Sequence, residues 1–377
     1  MDFDLSDEQK LLKDSVDRLL GNHYGFEARQ AYAQEAQSFS CKLWRQYAEL
    51  GLLALPFAEK YGGIDGSPVD SMIVMEAFGR ALTLEPYFAT VVLAGSLLRF
   101  GGSEKQRDFL LPKIASGDVL MAFAHSERQS RYNLASVTAT ARKDGDGFVL
   151  NGAKSLVIHG DSAEMFIVSC RLSGTPTDKS GIGLFLVDAA ATGLTRHGYA
   201  TIDGQRAAEL TLSGVRVAAD AVIGEAGNAI SLIERVADIA IAAQCAEAVG
   251  AMAAMHDMTV DYLRTRKQFG MPIGSFQVLQ HRAADMLIAL EQARSMAMLA
   301  AMTADSDDGG ERRKAISAAK VQICNSGRAI GQQAIQLHGG IGMTMEYKVG
   351  HYFKRVTAIA AMFGDAGHHL SLLAQAG

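Results

Sequence analysis

Residues Asp144-Gly145-Asp146-Gly147-Phe148-Val149-Leu150-Asn151-Gly152 read as a turn, a short apolar strand and a second turn. Asp-Gly and Asn-Gly accept the positive φ angles of tight hairpins, so this stretch marks the middle of the chain as β-structured. Around it, Ser136–Ala141 alternates, and Val157-Ile158, Phe166–Ser169, Gly183–Asp188 and Glu209–Val217 are further short β runs. Runs of that length and spacing predict a small β-barrel or sandwich.

On both sides the period changes to that of helices. Between Leu5 and about Ser116, Leu12, Val16, Leu19 and Leu20 share one face, as do Leu43, Tyr47, Leu50 and Leu53. Tyr61-Gly62-Gly63 and Gly101-Gly102 interrupt the pattern, and Ser6 with Gln9 three residues later predicts a capping box. After Gly224 four helical segments follow: Ile230–Arg264, Phe276 to about Ala304, Glu311–Gly339 and Tyr347–Ala376, with Asp305–Gly310 as a solvated connector. The fold predicted is an all-α N-terminal domain over 1–118, a middle small β-barrel or sandwich over 119–225 and a C-terminal four-helix bundle over 226–377.

Composition narrows the function. The chain has 377 residues, 49% hydrophobic and 20% charged, as expected of a globular protein with a large core. A net charge of −5 with no basic stripe argues against nucleic acid. Cys41, Cys170, Cys245 and Cys324 are isolated, with no metal-ligand spacing, so no metal is expected and the thiols read as reduced and cytoplasmic. The apolar run Ile239–Met255 carries Gln244 and Glu247, which suits a buried helix better than a membrane span.

Two C-terminal segments carry the chemistry. The first is Tyr262-Leu263-Arg264-Thr265-Arg266-Lys267-Gln268-Phe269-Gly270, continuing through Pro272-Ile273-Gly274-Ser275-Phe276-Gln277. The second is Gln336-Leu337-His338-Gly339-Gly340-Ile341-Gly342 with Glu346-Tyr347. Arg266 offers a planar fork suited to a diphosphate, and Gly339 and Gly340 let backbone N–H groups approach a ligand. Together these segments resemble the signatures of the acyl-CoA dehydrogenase family. Tyr61-Gly62-Gly63, Asp146–Lys154 and Val215-Arg216-Val217 with Gly224-Glu225 extend the resemblance over essentially the whole chain. It implies FAD as cofactor, held by Arg266, Gln268, Phe269, Gln336, Gly339 and Gly340 at the diphosphate of a neighbouring subunit, and by Ser126 in the flavin loop.

Three departures stand beside the matches. The flavin loop reads Ser126-Glu127-Arg128-Gln129-Ser130-Arg131-Tyr132-Asn133, without the family's Pro and Gly-Ser. Leu156 replaces a Trp that packs by the flavin. Phe363 and Ala240 occupy the two positions where members of the family place the catalytic Glu. Removing a proton from C2 of an acyl thioester while hydride leaves C3 requires such a carboxylate. Glu247 lies seven residues from Ala240, on the same helix face but about 10.5 Å along it. It is the candidate base, and its competing reading is a structural Glu paired with an Arg across the bundle. Asp365 is a weaker candidate.

A retained diphosphate grip with a missing base resembles the heteromeric members. The opening Met1–Leu20, the Met-rich Ala251–Met258 and His351-Tyr352-Phe353-Lys354-Arg355 resemble above all small subunits of the pimeloyl-CoA dehydrogenase type, which act on dicarboxylyl-CoA thioesters. The resemblance implies FAD-dependent oxidation of an acyl-CoA to a trans-2-enoyl-CoA, with a large dehydrogenase subunit and an electron-transferring flavoprotein as partners. Two alternatives stay open: a self-sufficient homo-oligomer using Glu247, and a non-catalytic subunit that only completes a partner's FAD site.

Overall fold

A computed structural model of the chain describes residues 4–376; Met1-Asp2-Phe3, at the start of the opening segment, and Gly377 lie outside them. Helices α1 (Asp7–His23), α2 (Phe26–Tyr32), α3 (Cys41–Glu49), α4 (Pro68–Ala81), α5 (Ser96–Gly101) and α6 (Glu104–Ala115) come first. The expected capping box starts α1: Ser6 Oγ accepts from Gln9 N at 3.2 Å, and Gln9 Oε1 accepts from Ser6 N at 3.1 Å. A second one, Ser103 with Gln106, starts α6. Directly before α5, Phe88–Gly95 forms a buried π-helix that periodicity did not reveal.

Eight strands follow: β1 (Met121–Ala124), β2 (Thr140–Asp144), β3 (Gly147–Ile158), β4 (Met165–Arg171), β5 (Ile182–Asp188), β6 (Leu194–Ala200), β7 (Arg206–Ala218) and β8 (Val222–Ile223). They form one sheet in the order β6-β7-β3-β2-β4-β5-β8, with β1 beside β4. Pairing is antiparallel except where β1 and the first residue of β2, Thr140, meet β4. The sheet curls around Leu150, Phe166, Val168, Phe185, Leu210 and Val215, all buried. The quoted stretch is the β2–β3 hairpin, Asp144 paired with Gly147 and Gly145 at φ 61°.

The remaining helices are α7 (Ile230–Thr265), α8 (Gln277–Thr303), α9 (Gly309–His338), α10 (Val349–Ala361) and α11 (Ala366–Ala376), with a small hairpin of β9 (Lys267–Gln268) and β10 (Met271–Pro272) after α7. The last segment, expected as one helix, is two. Phe363 takes φ 56° and Gly364 φ 113°, a bend no α-helix accommodates. Helix α7 is long and apolar enough to cross a membrane by length and composition, yet 94% of its most apolar window is buried inside the protein.

By packing, the chain groups into two compact units, each assembled from non-consecutive segments. One comprises Met1–Ala31, Pro68–Thr83 and Ile241–Gly377, and over its described residues is helical apart from the β9–β10 hairpin; the other comprises Tyr32–Ser67 and Leu84–Ala240, and holds the sheet. In the helical unit α4 crosses α7 at backbone distance. A methyl on Gly79 would lie 1.8 Å from the Glu247 carbonyl oxygen, and one on Gly250 would lie 1.8 Å from that of Glu76. The two glycines thus face each other's helix reciprocally. Gly79→Ala and Gly250→Ala should each cost about 1–3 kcal/mol or more of stability, because the helices must separate. Gly21→Ala in α1, where a methyl meets nothing within 4 Å, should be neutral or slightly stabilising. Urea unfolding measures both, and equal midpoints for Gly79→Ala and Gly21→Ala would refute the close crossing.

Candidate active site

The two C-terminal motifs, far apart in sequence, meet in the helical unit. Tyr262 at the end of α7 packs its ring on His338 at the end of α9, centroids 4.6 Å apart, and Tyr347 flanks the imidazole at 5.0 Å. His338 also bonds through Nδ1 to the Ala334 carbonyl at 2.8 Å, which fixes the helix end immediately before Gly339 and Gly340. Arg266 N donates to Tyr262 O, and Ile273 N to Arg266 O, both at 2.8 Å, so the backbone around Arg266 is tied down while its side chain is exposed.

The β9–β10 hairpin turns on Phe269 and Gly270, with φ 55° and 80°. Positive φ at both central residues is a type I′ turn, which ordinarily takes Asn-Gly. A phenylalanine there is strained, and its ring is 87% exposed, edge-on to Phe276 at 6.0 Å. Gln268, Gln336, Gly339 and Gly340 are exposed too, and a methyl built on either glycine meets nothing within 4 Å. A guanidinium, two amides, open glycine backbone and an aromatic face suit a diphosphate joined to a flat ring. Their exposure lets them reach a ligand seated on another chain.

The positions considered for a base are otherwise engaged. Glu247 is buried, and both its oxygens accept from Arg355: Nε at 2.6 Å and Nη2 at 2.8 Å. The pair with an Arg across the bundle is thus present, the Arg supplied by α10. A carboxylate gripped by a two-point guanidinium fork has to break that pair before accepting a substrate proton. Asp365 is the N-cap of α11, its Oδ1 accepting from His368 N at 2.8 Å. Phe363 sits in the bend between α10 and α11, which two buried side chains pin. Lys320 Nζ donates to the carbonyls of Ile359 at 2.5 Å and Met362 at 2.9 Å, and His369 Nε2 donates to that of Phe363 at 3.1 Å. Burial holds the Lys320 ammonium below its usual range and the His369 imidazole at about 4. Neither Lys320 nor His369 was singled out in the sequence. Lys320 had a signal, a lysine on the inward face of an Ala-rich helix.

The sheet unit holds the flavin loop. Ser126 is exposed, and its carbonyl accepts from Ser155 N at 2.8 Å, which brings it beside Leu156. Leu156 occupies an irregularity of β3, unpaired with β7, at φ 51° and about half exposed. The loop is closed by Glu127, the acid of its quoted sequence. Glu127 accepts from Lys154 Nζ at 2.7 Å, Ala139 N at 3.0 Å and Thr138 N at 2.8 Å. Lys154, with 0% of its side chain exposed, also donates to His125 O and Ser169 Oγ. Arg171 holds the far side through bonds to the carbonyls of Ala135 and Val137 and of the 173–180 loop. Arg131, where the family has Gly, keeps a glycine-like φ of 46°. The clamp thus preserves the bend without the residue that makes it easy.

The clamp is acid-sensitive. Burial pushes the His125 imidazole down to about 3, with Lys154 adding to the effect. Burial alone would raise the Glu127 carboxyl, but Lys154 and the Thr138 and Ala139 donors outweigh it and hold it at about 2. From an unfolded value of 6.5, His125 protonates preferentially in the unfolded chain, so stability falls as pH drops from 6.5 towards 3. Glu127's contribution is complete above 4.5 and is lost as pH falls through about 2. His125→Gln should flatten the fall between pH 6.5 and 4.5, and Glu127→Gln the fall below 4.5. Melting curves across that pH range check this; a His125→Gln profile parallel to the parent's would contradict it.

Comparison with known proteins accords with this geometry. The acyl-CoA dehydrogenase N-terminal, middle and C-terminal domain profiles match residues 6–118, 122–215 and 232–377. Acyl-CoA dehydrogenase FadE12 of Mycobacterium tuberculosis is 31% identical over 349 residues, 91% of this chain and 89% of that protein. The human mitochondrial short-chain specific acyl-CoA dehydrogenase is 30% identical over 318 residues, 82% of this chain and 76% of that one. Among solved structures, the steroid ACAD Tcur3481-Tcur3483 superposes with a TM-score of 0.88 at 29% identity, covering 98% of this chain and 97% of that one. The chain belongs to the acyl-CoA dehydrogenase family, whose members are FAD-dependent oxidoreductases acting on acyl-CoA thioesters.

Proposed function

We propose that this chain is the small subunit of a heteromeric acyl-CoA dehydrogenase, in which a larger partner subunit supplies the catalytic carboxylate. The observation that carries the reading is the buried Glu247–Arg355 pair, which occupies the apolar bundle's candidate base while Phe363 and Ala240 stand in the family's two base positions. FAD, when bound, supplies the hydride acceptor for C3 of the thioester. This chain's share is to bind and orient it: Arg266, Gln268 and Gln336 at the diphosphate, Gly339 and Gly340 offering backbone N–H groups, and Phe269 stacking. That FAD would be seated on the neighbouring subunit, while Ser126, on its clamped loop, would hold the ring of a separate flavin bound at the sheet unit. The product is a trans-2-enoyl-CoA, and the electrons leave to an electron-transferring flavoprotein. The substrate is a dicarboxylyl-CoA such as pimeloyl-CoA, a choice supported by sequence resemblance.

Two variants test this. Arg266→Ala removes a charge-assisted hydrogen bond and should weaken flavin binding by the assembled complex about 10–100-fold. Unchanged occupancy at limiting FAD counts against the diphosphate assignment. Glu247→Gln leaves Arg355 buried without its anion, so the melting temperature should drop, at a cost of about 3–5 kcal/mol, while turnover of the heteromeric complex stays within a few-fold. Flavin reduction by the isolated chain, lost about 10²–10⁴-fold in Glu247→Gln at unchanged melting temperature, would instead make Glu247 the base of a self-sufficient enzyme.

A further inference from the structure

The helical unit contains a cavity of about 340 Å³ that shares no residue with the flavin motifs. Its walls come from the last turns of α1, the α1–α2 turn, α2, the end of α4 and the start of α10. At this size it falls at the small end of the range of about 300–1,000 Å³ found for ligand pockets. Leu20, Ala77, Ala81 and Leu82 give it an apolar side.

The other side is cationic. Arg29, Arg80 and Lys348 line the cavity against a single acid, Asp17, so its walls carry a formal charge of 3 − 1 = +2 in a chain whose net charge is −5. Asp17 and Arg80 also have partners just outside the wall. Asp17 pairs with Lys13 at 2.5 Å, and Arg80 with Asp257 at 2.6 Å. The Lys348 ammonium has no carboxylate partner among the described residues. Arg29 is buried, oriented by its Nε donating to the Leu82 carbonyl at 2.7 Å. Tyr352 spans the two sides, its hydroxyl donating to the Arg80 carbonyl at 2.5 Å. Burial pushes that phenol up to about 12 against the opposing pull of Arg80 and Arg29, so both cations act at the cavity wall.

We infer that this cavity binds a small amphiphilic anion: a carboxylate met by Arg80, Lys348 and Arg29, with a short apolar body against Leu20, Ala77 and Leu82. An oriented, buried guanidinium beside an unpaired ammonium is the arrangement that favours an oxyanion over water. The apolar wall adds affinity that an inorganic anion cannot use.

Calorimetric titration of the full chain with hexanoate, 1-hexanol and inorganic phosphate tests this. Hexanoate should bind, and hexanol and phosphate should each bind at least about tenfold more weakly. Lys348→Met removes one cation on an exposed side chain and should weaken hexanoate about tenfold. Gly21→Leu places a side chain at the cavity wall, where a methyl meets nothing within 4 Å, and should abolish binding without lowering the melting temperature. Equal hexanoate binding in the parent and both variants would put the anion elsewhere, the acyl site included, and overturn the inference. Phosphate binding as tight as hexanoate would overturn the amphiphile, and absence of any hexanoate heat would overturn the site.

Discussion

The bidentate pair between Glu247 and Arg355 is the interaction on which the helical unit turns. A glutamate in the Ala-rich core of α7 is intolerable alone, because an unpaired buried carboxylate loses its hydration with nothing in return. Arg355 answers it with two parallel hydrogen bonds, and this fixes α10 against α7 in both register and rotation. The carbonyl of the same Glu247 is what Gly79 of α4 approaches, so one residue anchors one helix through its side chain and another through its backbone. Arg80, one residue beyond Gly79, accepts from Tyr352 through its carbonyl and closes the triangle from α4 to α10.

The sheet unit solves the same problem with the signs reversed. Lys154 is a cation on the inward side of β3, and Glu127 reaches it from the flavin loop. The pair is worth less for stability than for geometry, since burying two charges costs nearly as much as their attraction returns. Its effect is to hold the loop while leaving Ser126 and Leu156 exposed, Leu156 at a strained positive φ. Lys320 is a third buried cation, and it has carbonyls as partners instead of a carboxylate. It pins the α10–α11 bend, and with it the place where relatives carry their base.

Charge placement separates what this chain retains from what it lacks. The groups suited to FAD are exposed and face outward, with their backbone held from beneath by the Tyr262–His338–Tyr347 stack. The carboxylates that might have taken a proton are satisfied internally, Glu247 by Arg355 and Asp365 by the first turn of α11. An oxidoreductase fold with this division of labour is well suited to completing a site that another chain finishes.

The sequence by itself determined the order helix, sheet, helix, because a period of 3.6 and a period of 2 with Gly-rich turns are local properties. It also determined the capping box at Ser6, the hairpin at Asp144–Gly147 and the two motifs that identify the family. The pairing of Glu247 was legible only as one of two readings, since its partner lies 108 residues away and α10 offers cations at Lys354 as well as Arg355. Only the tertiary structure shows the pair itself: the register of α10 against α7 brings Arg355, and not Lys354, to Glu247. The same holds for Lys154 with Glu127, for the reciprocal glycines of α4 and α7, and for the break at Phe363. Each depends on which faces meet across the fold, and non-local packing leaves no periodic signature in the chain.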